Sequence, residues 1–458
     1  MKQQIMNEKA MVAQGMPDRE QELDLLTQHV EEALSLAKKS GADEVAASAS
    51  THAGMSVNVR LGEVETLEHN RDRGISVTVY VGRSQGHASS ADLQPGSVKN
   101  CVQHALDIAK YTAQDKCNGL ADPDRLACSF PDLDLWHPRP LDVEEAIERA
   151  LECEAAALAD KRISNSEGGS SSSEVGLSVY GNSNDFRGRS GGTRYGQSCV
   201  VIAGKNESMQ RDYWYDSRRS FGDLETPAST GAEAARRTVA RLGARKIKTC
   251  RLPVLFAPEV ARGIIGHFIG AISGGALYRN ASFLKDTLGQ QLFPEWFGVT
   301  EHPFLQRAVG SAAFDSEGVA TNEREIINQG VLNGYVLSSY SARRLGLETT
   351  GNAGGVHNLR LTGHKSSFNE LLRDMDCGLL VTEVMGQGVS MVTGDYSRGA
   401  SGFWVENGQI VYPVEEVTIA GNLTKMFSAI RSIGDDRDER SNIQAGSILL
   451  DGLTIAGS

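Results

Sequence analysis

The chain has 458 residues, 40% of them hydrophobic and 23% charged, with a formal net charge of −12. That is a soluble globular balance, too long for a single core, so two or three domains are expected. The acidic excess argues against a nonspecific binder of nucleic acid or anionic membrane, and no apolar run reaches the length of a membrane span.

Residues 1–20 read as a polar, flexible N-terminal tail without the apolar core of a signal peptide. Pro17-Asp18 opens a helix in which Leu23, Leu26, Val30, Ala33, Leu34 and Ala37 recur at three and four, and Ser40-Gly41 ends it. The stretches 55–61 and 75–81 alternate with period two, as half-buried antiparallel strands do, and a second helix runs from about Ser97 through Ala109. This gives an α+β domain at 21–116, a helix-flanked antiparallel sheet. The segment 117–140 carries prolines without periodicity and reads as a linker.

A central α+β domain follows at 141–248. Its first helix runs from Leu141 to about Asp160, strands are predicted near 197–203 and 209–215, and a helix opens at Pro227. The run SEGGSSSSE at 166–174 reads as a loop by composition. The order helix, strands, helix thus repeats loosely in the two domains. From 249 to 458 the texture becomes glycine-rich and mainly β, after a short strand at 252–256 and a helix at 260–272; a closed or barrel-like sheet is one option there. Within it, Phe403–Glu406, Asn407-Gly408 and Gln409–Tyr412 predict a two-residue hairpin, because Asn-Gly supplies both positive-φ residues of a type I′ turn.

The seven cysteines are scattered, odd in number and free of CxxC pairs, which excludes a disulfide framework and fits a reducing cytoplasm. No two histidines stand at metal-ligand spacing. His267 sits on the apolar helix as a lone histidine, a position that ordinarily means a hydrogen-bonded core or interface residue. Phosphate-cradling and nucleophile-elbow motifs are absent. Asp315, Glu317 and Asp395 stand on loops, where carboxylates hold either a peptide amine or cation, or only the turn itself.

Five segments then occur in one order: DSEGVAT (315–321), YSARRLGL (340–347), TGNAG (350–354), VTGDYSRGA (392–400) and PVEEVTIAGNL (413–423). With them the chain resembles the TldD/PmbA metallopeptidase family, on its PmbA-type (TldE) branch, from about Leu23 to the C-terminus. The resemblance implies a cytoplasmic zinc metallopeptidase system, a hydrolase that processes microcin-type peptide precursors and degrades an antitoxin. It also implies a link to modulation of DNA gyrase, the basis of an alternative reading as a non-proteolytic regulatory protein. TldD-type members carry HExxxH on a helix, and a cysteine near the C-terminus supplies a further ligand.

The matching helix here reads His267-Phe268-Ile269-Gly270-Ala271-Ile272, and no cysteine follows Cys377. The resemblance therefore assigns this chain no catalytic and no metal residue, and no cofactor of its own. Zinc is expected in a TldD-like partner subunit, in a heterodimer, with a homodimer as the other arrangement. Asn352, Asp395, Tyr396 and Arg398 are the candidates for peptide binding or subunit contact, with an extended peptide adding to a sheet edge.

Overall fold

The computed structural model describes residues 18–457, and the tail expected at 1–20 lies outside the described residues up to residue 17. Helix α1 (Arg19–Lys39) is followed by β1 (Glu44–Arg60), β2 (Glu63–Val81), β3 (Ser84–Ser90) and α2 (Pro95–Tyr111). The same plan returns as α3 (Val143–Leu158), β4 (Ile163–Asn182), β5 (Arg187–Ala203), β6 (Gln210–Arg218) and α4 (Pro227–Ala240). The start of α1 is set by Asp18, whose carboxylate accepts from the backbone N–H groups of Glu20 and Gln21 at 3.0 and 3.2 Å.

Both copies of the plan build one antiparallel sheet, ordered β3-β2-β1-β4-β5-β6 and symmetric about the β1–β4 pairing. Residues 21–116 and 141–248, read separately from the sequence, thus share a sheet. All but 206–208 and 240–248 belong to one compact unit, together with much of the intervening segment. Alternation along β1 buries Val45, Ala47, Ala49, Val57 and Val59 against the helices and leaves the opposite face to mostly polar residues such as Ser48, Ser50, Ser56 and Asn58.

The serine-rich segment 166–174 is not a loop. It lies inside β4, paired to β1 on one side and β5 on the other. Its composition follows from close packing: a Cβ on Gly169 would collide with the Ala150 carbonyl of α3. Small residues there admit a helix, and the strand pairing comes from its two neighbours.

The second unit holds residues 240–458 with two short segments, 128–133 and 206–208. Its elements are β7 (Cys250–Phe256), α5 (Pro258–Ala271), α6 (Gly274–Tyr278), β8 (Gly298–Glu301), β9 (Arg324–Asn328), β10 (Val331–Leu332), α7 (Ser339–Leu345), β11 (Leu359–Thr362) and β12 (Lys365–Ser366). They continue as α8 (Phe368–Met375), β13 (Gly378–Met385), β14 (Asp395–Glu406), β15 (Gln409–Asn422), α9 (Leu423–Ser428), β16 (Ile430–Gly434), β17 (Ile443–Gln444) and β18 (Ile448–Ala456).

A seven-stranded sheet runs β12-β16-β18-β15-β14-β13-β7, and β18 also pairs with β7. That last pairing closes β7, β13, β14, β15 and β18 into a barrel, which removes the free edges of its strands. The predicted hairpin is present: Glu406 faces Gln409 across Asn407 and Gly408, both at positive φ (51° and 67°). A smaller sheet, β10-β9-β8-β11-β17, completes this unit. No helix among the described residues is long and apolar enough to cross a membrane.

Candidate functional site

Helix α5 starts at Pro258 and turns Val260, Ala261, Ile264, Ile265, Phe268 and Ala271 toward the core of the second unit. Phe268 has 0% exposure and meets Phe293 and Phe427 edge-on at centroid distances of 5.1 and 5.8 Å. Phe293 in turn stacks on Phe297 at 4.7 Å and on Phe427 at 5.0 Å. Ile272, also at 0% exposure, caps the helix by donating its backbone N–H to the Phe268 carbonyl at 3.1 Å.

The two positions that correspond to a base and a second ligand are therefore parts of an aromatic and aliphatic core. The donor set does not fit zinc. Among the described residues no group of three or more His, Cys, Asp or Glu side chains stands together as a metal site. His267 has the guanidinium of Arg398 beside it, and burial first, then that positive charge, pushes its pKa below the ordinary histidine value. A cation at His267 would meet a cation.

His267 is half-buried, as a lone histidine on an apolar helix is expected to be. Its Nε2 is shielded from solvent and bonded to no described atom, and the same holds for Nε of Arg398. Tyr396 belongs to the core at 2% exposure, with its ring edge-on to His267 at 6.0 Å. Burial raises the Tyr396 phenol to a pKa of about 12, against an opposing pull from Arg398, so it stays protonated at neutral pH.

Asp395 is exposed, and its place in the period-two strand sets it on the opposite side from Tyr396 and Arg398. Its carboxylate accepts from Thr393 Oγ1 at 2.7 Å and from Asn422 Nδ2 at 3.3 Å, and these bonds hold its pKa below the usual carboxylate range. The edge of β14 at these residues is not open to an added strand. The Ser397 N–H donates to the Gly388 carbonyl at 2.6 Å and the Ser390 N–H to the Asp395 carbonyl at 2.8 Å, so the chain's own 386–394 loop covers it. The sheet-edge expectation is corrected there by the loop and by barrel closure.

Asn352 stands in a different network. Its Nδ2 donates to Glu301 Oε1 at 2.8 Å and to the Gly355 carbonyl at 3.0 Å. Its Oδ1 accepts from Arg324 Nη2 at 2.8 Å and Thr350 Oγ1 at 2.7 Å. These four bonds use the full capacity of the amide. Glu301, 1% exposed, also accepts from Arg324 Nε at 2.7 Å and from the His357 N–H at 2.7 Å. Arg324 spends Nη1 on the Tyr335 carbonyl at 2.8 Å. Glu301 and Arg324 escape a reading of the sequence, since neither belongs to a recognisable motif and their pairing joins β8 to β9.

Asp315 and Glu317 likewise serve the fold. Glu317 Oε2 accepts the Ser339 N–H at the start of α7 at 2.8 Å. Asp315 accepts from the N–H groups of Glu317, Val319 and Ala353 at 2.8, 3.0 and 2.9 Å. Burial nevertheless raises Asp315 from 3.8 to about 6. A raised folded-state pKa favours the fold fully below the unfolded value and loses that contribution as pH rises through the folded one. Unfolding free energy is therefore expected to fall by on the order of 2–3 kcal/mol between pH 4 and 7 through this group. Urea titrations of the wild type and Asp315→Asn across that range check it; identical pH slopes would refute the assignment.

In the first unit, the open face of β4–β6 forms a groove of about 420 Å³ lined by Ser170, Ser172, Glu174, Arg194, Tyr213 and Tyr215. The two tyrosine rings stack at 6.2 Å.

Comparison with known proteins places the chain in one family over most of its length. The PmbA/TldA metallopeptidase domain 1 matches residues 45–109, the central domain 136–242 and the C-terminal domain 249–457. The chain is 52% identical over 435 residues to Metalloprotease PmbA of Escherichia coli O157:H7, covering 94% of this chain and 96% of that protein. It is 49% identical over 439 residues to a Metalloprotease PmbA homolog of Haemophilus influenzae, with coverage of 94% and 96%.

Among solved structures, a protein described as a candidate modulator of DNA gyrase from Bacteroides thetaiotaomicron superposes with a TM-score of 0.90 at 28% identity, over 94% of this chain and 99% of that one. TldE from Thermococcus kodakarensis shares the fold, with a TM-score of 0.77 at 20% identity over 94% and 100% of the two chains.

Proposed function

The chain belongs to the PmbA/TldA metallopeptidase family, and from that premise we propose that it acts as the subunit of a cytoplasmic peptide-processing hydrolase that does not hold the metal. The observation that carries this reading is the burial of Phe268 and Ile272 in the aromatic core. A metallopeptidase of this kind needs a water activated by a metal and a base, and the positions for the base and the second ligand are filled by hydrocarbon. The zinc is then supplied by a TldD-like partner, and this chain positions the peptide or completes its channel. Seven free cysteines fit a reducing compartment. Of the four candidate residues, Asn352 supports this role by shaping its loop, and Asp395, Tyr396 and Arg398 support it from β14.

Reconstitution tests the proposal. The purified chain alone should cleave no peptide and carry no stoichiometric zinc, whereas the chain mixed with a TldD-like subunit should form a stable complex that cleaves. Zinc-dependent cleavage by the chain alone would sink the reading. The similar Bacteroides protein, described as a candidate gyrase modulator, motivates the alternative, a regulatory protein without proteolytic role. Recovery of gyrase and no TldD-like subunit in a cytosolic pull-down would favour it.

A further inference from the structure

Tyr396, Arg398 and Ala400 share one side of β14, and Tyr396 and Ala400 are buried at 2% and 1% exposure. Arg398 is thus an arginine on the inward side of a barrel strand, half-buried between two core residues. A guanidinium in such a place is ordinarily paired with a carboxylate, because burying an unpaired charge is expensive. Yet no acidic side chain pairs with Arg398 among the described residues, and its Nε is shielded and unbonded. Helix α5 places a second orphan, Nε2 of His267, in the same neighbourhood. Two shielded polar atoms left without partners mark a position for a group that the chain itself does not supply.

We propose that Arg398, His267 and Tyr396 form a carboxylate-binding site that takes an acidic group of a peptide. The fixed charge of Arg398 selects an anion and rejects a cation. Its fork of N–H groups matches the two oxygens of a carboxylate, and such charge-assisted pairs are stronger than neutral ones. His267 donates through Nε2 in the tautomer that carries the proton there, and the protonated Tyr396 hydroxyl adds a third donor. The partial exposure of Arg398 leaves a route from solvent. The peptide origin of the carboxylate rests on the function proposed above; the anion site rests on the orphaned groups. Two sources share this chemistry, a C-terminal α-carboxylate and an aspartate or glutamate side chain.

Fluorescence anisotropy with the full chain separates them. The probes are a labelled tri-alanine peptide with a free C-terminal acid, the same peptide as its amide, and an amide in which one alanine is replaced by glutamate. At least one acid form is expected to bind on the order of tenfold to hundredfold more tightly than the plain amide. Arg398→Gln should abolish the preference, and Arg398→Lys should retain part of it. The acid-to-amide ratio of the wild type needs no variant, so a misfolded Arg398→Gln would not shield the proposal. Equal binding of acids and amide, a preference that survives Arg398→Gln, displacement by inorganic phosphate better than by acetate, or no binding of any form would each overturn the site. The subunit reading is judged separately by reconstitution, so its failure and this one are distinguishable.

Discussion

Installing glutamate at Phe268 together with histidine at Ile272 is expected to unfold the C-terminal unit without creating a peptidase. Phe268 touches Phe293 and Phe427 edge-on and has no exposed surface. Truncating a buried phenylalanine costs about 3–5 kcal/mol. A carboxylate in the same place adds the desolvation of a charge with no cation or donor beside it. Against a domain stability of about 5–15 kcal/mol, the sum removes most or all of it. The new side chains would also enter the core on the buried side of α5, where no third ligand waits among the described residues.

Circular dichroism on heating should show loss of the C-terminal unit's share of the unfolding transition, and metal analysis should show no bound zinc. Phe268→Leu, which keeps much of the volume, is the control and should cost well under half as much. A folded double variant with one zinc per chain would overturn the packing argument.

The second large effect is expected at Arg324. Its guanidinium bonds Glu301, Asn352 and the Tyr335 carbonyl at 2.7 to 2.8 Å. Arg324→Ala strands Glu301 as a buried charge and deprives Asn352 of one donor. Removing one partner of a buried pair costs about 3–5 kcal/mol, much of it the penalty of the charge left behind. Arg324→Lys cannot serve three acceptors with one ammonium in the same geometry and should fall between the wild type and alanine. Replacing both partners, Glu301→Gln with Arg324→Met, should cost less than Arg324→Ala alone, because the stranded charge is gone. Urea unfolding midpoints of the three variants check the order. A double variant less stable than Arg324→Ala would show that the network stabilises through its bonds and not through charge compensation.

The loop that carries Asn352 depends on this network, so the Arg324 variants also bear on peptide handling. Asn352 has no spare hydrogen bond with which to grip a ligand. A loss of binding in an Asn352 variant would reflect a misplaced loop, and it should be accompanied by a lower unfolding midpoint. A loss at Arg398 should not be.

Much of the molecule was readable from short stretches of chain. Apolar residues at three and four drew α1 through Leu23, Leu26 and Val30, because a helix repeats every 3.6 residues. Asn407-Gly408 drew the hairpin because both φ angles are positive and few residue pairs tolerate that. The absence of a glutamate at 268 and of a histidine at 272 was likewise legible, because the motif lies within six consecutive positions.

What depended on distant partners was not legible. The serine run 166–174 became a strand because β1 and β5 bracket it. Closure of the barrel required β18 to return to β7. Glu301 found Arg324 and Asn352, and His267 came beside Tyr396 and Arg398, only once strands and helix were packed. The sequence by itself determined the local elements, the family and the missing catalytic motif, since each rests on dihedral preferences or on neighbouring residues. The tertiary structure alone decided which charges are paired and which are left open, because pairing is set by strand register and packing between residues far apart in the chain.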